Sequence, residues 1–339
     1  MPAIQDAAFA PHQVDTLFLL VGTNPLPNAV AGQLLIRPNG QVVLVKTTRT
    51  KAQAGYVGTW IQKKTGVTPV HLEVADSDGP TISDAVYHAA SKAARERRRI
   101  GLNYTGGTKA MAVHAYRAVE AAARDAGADC EFSYLDGRRL RMTFDRVDGS
   151  GGRGSSIPTI TLAPFTIDEL TSLHGWTLSS KPRGNLPLPE VATALALAQR
   201  DTAAAEGWAK WRQGVLEERC RKRRDNRLSE DWKSKTDLSN TALDWPTQAG
   251  LEKAVAMLKG YLGEDGPTFN VGALARATGF GSDAEELCRW LHGTWFESFV
   301  LDVIGRIANT CALNDYGADL KGGRVDPETN ERTEFQFDV

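Results

Sequence analysis

The feature that most constrains this chain is the alternation, over its first half, of short apolar runs with longer helical patterns. The runs "DTLFLLVG" (15–22), "QVVLVKT" (41–47), "VTPVHLEVA" (67–75), "IGLNYT" (100–105) and "ADCEFSYL" (128–135) each have the length of a strand. Between them lie "AVAGQLLIRPNG" (29–40), "KAQAGYVGTWIQKKTG" (51–66), "TISDAVYHAASKAARERRR" (81–99) and "KAMAVHAYRAVEAAARDAG" (109–127), which read as helices. The first of these breaks at Pro38-Asn39-Gly40, a strong turn signal. The second closes on Gly66 in the usual stop position, and the third gathers its cations at the end that the helix dipole favours. Unbroken apolar runs suit strands buried on both faces. Strands separated by helices of this length imply a mostly parallel sheet covered on both sides. Residues 15 to about 165 are therefore predicted to form a Rossmann-like α/β domain. It should close with a hairpin turning at Asp136-Gly137 into "RRLRMTF".

Ligands of such sheets bind outside the carboxyl ends of the strands, near a switch in strand order. That rule selects "GTNPLPN" (22–28) after the first strand and "NYTGGTK" (103–109) after the fourth. Gly106 and Gly107 let the backbone approach a ligand closely. Thr108 and Lys109 open a helix, whose free N–H groups and dipole favour an anion. Thr105 and Thr108 add hydroxyls and Lys109 a mobile positive charge. A phosphate is the natural guest; the plainer alternative is a tight strand-to-helix turn capped by Thr108. Neither GxGxxG nor GxxxxGK[ST] is present, so dinucleotide or nucleoside-triphosphate binding is not supported.

The pair "VGTNPLPNAVA" and "LNYTGGTKAM", in that order and on those strand ends, resembles the CARF domain of CRISPR-associated effectors of type III systems. The resemblance implies a homodimer whose shared cleft binds a cyclic oligoadenylate second messenger, cyclic tetra-adenylate being favoured over the hexa-adenylate. Carried onto this sequence, Thr23 and Asn24 in the first loop and Thr105, Gly106, Gly107, Thr108 and Lys109 in the second would surround the ribose-phosphate ring.

Composition sets outer limits. A formal net charge of -1 on 339 residues advertises no global attraction to nucleic acid, although cations concentrate in "ARERRRI" (94–100) and "ERCRKRRDNR" (218–227). Four cysteines far apart in sequence suggest neither a zinc site nor a disulfide framework, and a reducing, cytoplasmic setting fits them. No signal-peptide pattern and no apolar run of membrane-spanning length is present, so a soluble protein without a membrane partner is expected. The Gly-rich "VDGSGGRGSSIP" (147–158) reads as a mobile loop between strands, with "TITLAP" after it as a further strand candidate. Residues 166–275 read as a helical middle region. There "EGWAKWRQGVLEERCRKRRDNR" (206–227) continues as one helix, with Trp208 and Trp211 either in the core or available to stack on bases.

Residues 276–339 carry a second pattern. In "SDAEELCRWLHGTWFESFVLDVIGRIAN" (282–309) an acidic capping pattern precedes an apolar stripe that includes Trp290, Trp295, Phe296, Phe299 and Val303, with Glu297 among apolar neighbours. "TEFQFDV" (333–339) alternates like a strand and ends near Asp338. These elements resemble the start of the PD-(D/E)xK nuclease domain found in CARF effectors. Glu297 matches the helix glutamate and Asp338 the strand aspartate. The resemblance implies a metal-dependent nuclease acting on DNA or RNA, with Glu297 and Asp338 as catalytic and metal-binding carboxylates for a divalent Mn or Mg ion. The Glu-x-Lys strand that should follow is missing. A chain that stops inside the nuclease domain is favoured over a natural loss, and the chain by itself is expected to have little nuclease activity. The implied whole has a CARF sensor over residues 1–165, the helical middle and an incomplete nuclease-like α/β domain.

Three other readings compete with this one. A HEPN ribonuclease needs Arg-x-x-x-x-His, and none of the six histidines has an arginine five positions before it. A ring nuclease degrading its own ligand through Thr23, Thr105 or Lys109 remains compatible. So does a non-catalytic regulator that binds DNA through the basic segment or a helix-turn-helix in "FNVGALARATGFGSDAEELCRWL" (269–291).

Overall fold

The computed structural model describes residues 7–96, 98–145, 155–159, 164–225, 227–311, 313–325 and 329–337. The chain divides into two units. One is formed by Met1–Ser179 with Gly322–Glu334, the other by Ser180–Lys321 with Phe335–Val339.

The first unit is built on a seven-stranded sheet of β1 (Val14–Leu20), β2 (Ile36–Lys46), β3 (Val70–Glu73), β4 (Ile100–Asn103), β5 (Cys130–Asp136), β6 (Arg141–Phe144) and β7 (Ser156–Pro158). Their order across the sheet is β3-β2-β1-β4-β5-β6-β7. The first five are parallel and the last two antiparallel. The switch in order falls between β1 and β4. Alternation along β1 explains how both faces are covered: Leu17, Leu19 and Val21 face one core, while Phe18 and Leu20 face the other. Helices α1 (Leu26–Leu35) and α2 (Lys51–Thr65) fill the first core with Leu34, Val57 and Ile61. Helices α3 (Gly79–Arg95) and α4 (Lys109–Ala126) fill the second with Ile82, Val86, Met111 and Val119. This is the predicted α/β domain with its mostly parallel sheet.

Two local expectations fail. The helix read from Ala29 to the break at Pro38 ends earlier, at Leu35, and Ile36 already begins β2. The Pro38-Asn39-Gly40 turn lies inside the strand as an irregularity: Val14 pairs with Ile36 but Thr16 with Gln41, and Asn39 takes φ 62. The chain does turn at Asn39, and tertiary pairing on both of its sides decides the state of the flanks. The helix read through 206–227 likewise ends at Cys220. The Arg-rich run becomes a hairpin of strands Arg221–Arg224 and Arg227–Trp232. The loop read over 147–158 ends sooner than expected, because Ser156–Pro158 pair with β6 as β7; residues 147–154 and most of the strand candidate at 159–164 lie outside the described residues.

The second unit is mostly helical. One cluster holds Leu195, Trp208, Trp211, Leu216, Leu258, Leu274, Leu287, Trp290 and Trp295. Trp208 and Trp211 are each only 4% exposed, and the Trp211 indole donates to the Asp244 carbonyl at 2.7 Å. They belong to the core and do not offer a stacking surface. The helices Val271–Ala277 and Ala284–Arg289 commit Val271, Leu274, Ala284 and Leu287 to that same core. Among the described residues no helix is long and apolar enough to cross a membrane.

Candidate functional site

The loops after β1 and β4 meet at the switch point, backbone against backbone. A Cβ placed on Gly106 would lie 2.1 Å from the Leu20 carbonyl oxygen and 3.0 Å from the Gly22 amide nitrogen. One placed on Gly22 would lie 3.0 Å from the Gly107 amide nitrogen. Only glycine allows this approach. Gly107 is also held at φ 76, in the left-handed region. Asn28, fully buried on α1, fixes the seam by donating to the Leu20 carbonyl at 2.9 Å.

The seven residues singled out in these loops do different things. Thr23, Asn24 and Lys109 are exposed, whereas Thr105, Gly106, Gly107 and Thr108 are half-buried. Asn24 accepts from the Leu26 amide at 3.1 Å and so shapes the entry to α1. The Thr108 hydroxyl caps α4 by accepting from the Met111 amide at 3.1 Å, and donates to the Asp76 carbonyl beyond β3 at 2.9 Å. Thr105 is used just as fully: its hydroxyl donates to Asn103 Oδ1 at 2.8 Å and accepts from the Leu135 amide at 2.7 Å. These two threonines brace the loop. Beyond them the loop opens onto the free N–H groups at the head of α4, which begins at Lys109, and onto the exposed Lys109 ammonium. No described residue pairs with that ammonium. A helix head beside an unpaired cation is the kind of surface that favours an anion.

Tyr104 anchors the same loop from beneath. Its hydroxyl donates to Asp145 at 2.8 Å, and its ring stands edge-on to Tyr116 at 5.8 Å. Burial, then the Asp145 carboxylate, pushes the Tyr104 hydroxyl far above its ordinary value; the same two causes bring Tyr116 up to about 12.

In the second unit, Glu297 lines a cavity of about 370 Å³. It lies on the helix Trp295–Ile307, where Phe296 and Ile307 are exposed while Trp295, Ser298 and Leu301 are buried, so the apolar stripe is only partly covered. The Trp290 indole donates to Ser298 Oγ at 3.0 Å, which fixes the helix wall beside Glu297. The other carboxylates of the cavity are held by cations. Arg183 reaches Glu286 at 3.0 Å and Asp319 at 3.3 Å, Arg289 reaches Glu285 at 2.6 Å, and Lys235 pairs with Asp283. Among the described residues no group of three or more His, Cys, Asp or Glu side chains is placed to hold a metal ion. The strand Arg332–Phe337 forms as predicted, but Asp338 lies outside the described residues. The described residues alone therefore do not assemble the metal centre that the nuclease resemblance implies.

Gly22, Asn28, Asn103 and Tyr104 also shape the two switch-point loops. All four lie within the quoted motifs. Sequence alone does not say which asparagine turns inward to hold a backbone carbonyl, or which hydroxyl a neighbouring strand will consume.

No protein-family model and no curated protein sequence matches the chain. Solved structures do. Can2 from Sulfobacillus thermosulfidooxidans, in complex with cyclic tetra-adenylate, matches with a TM-score of 0.63 and 17% identity, covering 98% of this chain and 77% of that one. VC1899 from Vibrio cholerae matches with a TM-score of 0.62 and 12% identity, covering 95% of this chain and 76% of that one. At such identities the likeness establishes the fold: this chain has the architecture of Can2, in agreement with the CARF-effector resemblance of its sequence motifs.

Proposed function

We propose that the chain is a CRISPR ancillary effector that senses a cyclic oligoadenylate through the loops at the β1/β4 switch point. The observation that carries the reading is the glycine seam. Two loops interlock there so closely that no side chain fits between them, and the second opens directly onto the head of α4 and the exposed Lys109. A ring of phosphodiesters needs such a repeated display of donors, and two copies of this surface about a two-fold axis form the cleft that a cyclic ligand requires. The reading therefore includes a homodimer in the cytoplasm with cyclic tetra-adenylate as the favoured messenger. The fold shared with Can2, which binds that ring, supports it.

Binding of the messenger then activates a nuclease that degrades DNA or RNA. This part rests on Glu297 in its cavity and on Asp338, as ligands of a divalent Mn or Mg ion. A ring-degrading activity finds less support at Thr105, whose hydroxyl already serves Asn103 and Leu135. The test is calorimetry with cyclic tetra-adenylate and cyclic hexa-adenylate, set against linear tetra-adenylate and ATP. Saturable binding of a cyclic form with weaker binding of the linear ones supports the sensor. Equal affinity for linear and cyclic forms, or no heat with either ring, rules it out.

A further inference from the structure

The Arg-rich segment that became a hairpin has a definite geometry. Residues 218–235 carry eight Lys and Arg against four Asp and Glu in a chain whose net charge is -1. The strands Arg221–Arg224 and Arg227–Trp232 pair antiparallel, with Arg224 opposite Arg227, Arg223 opposite Leu228 and Arg221 opposite Trp232. Side chains alternate across such a ribbon, and directly opposed residues share a face. Arg221 and Trp232 therefore share one face, and it is tied down. The Arg221 guanidinium lies 4.3 Å from the centre of the Trp232 ring and 3.2 Å from His292 Nε2. Lys222, Arg224 and Arg227 point from the opposite face, and all three are exposed. Arg224 meets Asp231 at 2.7 Å with both side chains open to solvent, a pairing of little strength. Among the described residues Lys222 and Arg227 have no ion-pair partner. Three cations thus stand along one side of a ribbon anchored on its other side, a cost in self-repulsion that core packing does not explain.

We propose that this outer face is a docking surface for the phosphate backbone of duplex DNA. Charge complementarity names a polyanion, and shape selects among polyanions. A two-stranded ribbon enters the major groove of B-form DNA, whereas the deep, narrow major groove of A-form RNA does not admit it. The inference deepens the nuclease reading by assigning a substrate class and the surface that holds it, and to that extent rests on it.

The test measures binding of the whole chain to a short DNA duplex by fluorescence anisotropy, in EDTA, over a range of KCl. The triple variant Lys222→Ala/Arg224→Ala/Arg227→Ala is compared with Lys63→Ala/Lys210→Ala/Lys253→Ala, which removes the same charge from exposed positions elsewhere. Loss of three phosphate contacts lowers the slope of log affinity against log salt by about 2.7, so the hairpin variant loses roughly 40-fold less affinity than wild type between about 50 and about 200 mM salt. The control variant keeps the wild-type slope. The variant Arg224→Lys/Arg227→Lys keeps the charge and is expected to keep the slope, which separates charge from folding. Three results would overturn the proposal: no binding of duplex DNA by wild type, a hairpin variant indistinguishable from the control, or duplex RNA bound as tightly as duplex DNA. The sensor reading fails separately, by absence of cyclic oligoadenylate binding, and this DNA measurement does not depend on that ligand.

Discussion

Replacing Gly106 by alanine probes the seam between the loops after β1 and β4. The new methyl would sit 2.1 Å from the Leu20 carbonyl oxygen, about 1.3 Å short of ordinary contact at 3.4 Å. The obstacle is backbone, so no side chain can rotate away. The loop must lift from β1, which disturbs the Leu20 carbonyl that Asn28 also holds. Overpacking of this kind costs about 2 kcal/mol. For a unit of this size that lowers the melting midpoint by roughly 4–8 °C. A lifted loop also withdraws its amides from the ligand. Loss of one hydrogen bond to a charged phosphate, about 1.5–3 kcal/mol, weakens cyclic tetra-adenylate binding by roughly 10- to 100-fold. Differential scanning fluorimetry and calorimetry read the two effects. Gly137→Ala in the β5–β6 turn is the control, since a methyl there meets nothing within 4 Å. The reasoning is refuted if Gly106→Ala retains both the wild-type midpoint and the wild-type affinity, or if Gly137→Ala does equal damage.

Other substitutions separate ligand contacts from scaffolding. Lys109→Ala should weaken binding of cyclic tetra-adenylate by about tenfold without moving the melting midpoint, because the side chain is exposed; calorimetry beside a thermal melt decides this. Thr108→Val removes a cap and should cost about 1 kcal/mol in denaturant unfolding whether or not ligand is present. For Tyr104 and Tyr116 the folded state holds the proton more tightly than the unfolded chain does. Their contribution is therefore complete below the ordinary tyrosine value of about 10 and is lost as pH rises through the raised folded values. Unfolding followed by tyrosinate absorbance should show that alkaline loss of stability, and the double variant Tyr104→Phe/Tyr116→Phe should flatten it. Glu297→Gln should abolish any cleavage of supercoiled plasmid that depends on both a divalent ion and cyclic tetra-adenylate; persistence of that cleavage would remove Glu297 from the site.

The centre of the sheet was legible because β1 and the second half of β2 are apolar runs that must be covered on both faces. Phe18 and Leu19 show this, facing opposite cores from adjacent positions. By contrast β3, with Val70, His71 and Glu73 exposed, sits at the edge. The close meeting of the loops after β1 and β4 was legible because Gly106 and Gly107 stand between a strand and a helix start, where the backbone must turn tightly. Where reading failed, local signal was weaker than pairing partners remote in sequence. Ile36 and Arg37 follow a helix without a break and belong to a strand only because β1 lies beside them. Arg221–Arg224 has the composition of a solvated helix end, and it becomes a strand because Leu228 and Trp232 return to pair with it. Roles within the site were harder still to read. Thr105 and Thr108 looked like ligand groups, and the structure spends both hydroxyls on Asn103, Leu135, Asp76 and Met111. A hydroxyl's partners are set by neighbouring strands, and the sequence carries no mark of them.

The most direct test of a two-fold sensor is native mass spectrometry of the chain titrated with cyclic tetra-adenylate. The account predicts a complex of two chains and one ring that accumulates as ligand is added and is lost in Gly106→Ala. A ring bound to single chains, or two rings per dimer at saturation, would contradict it.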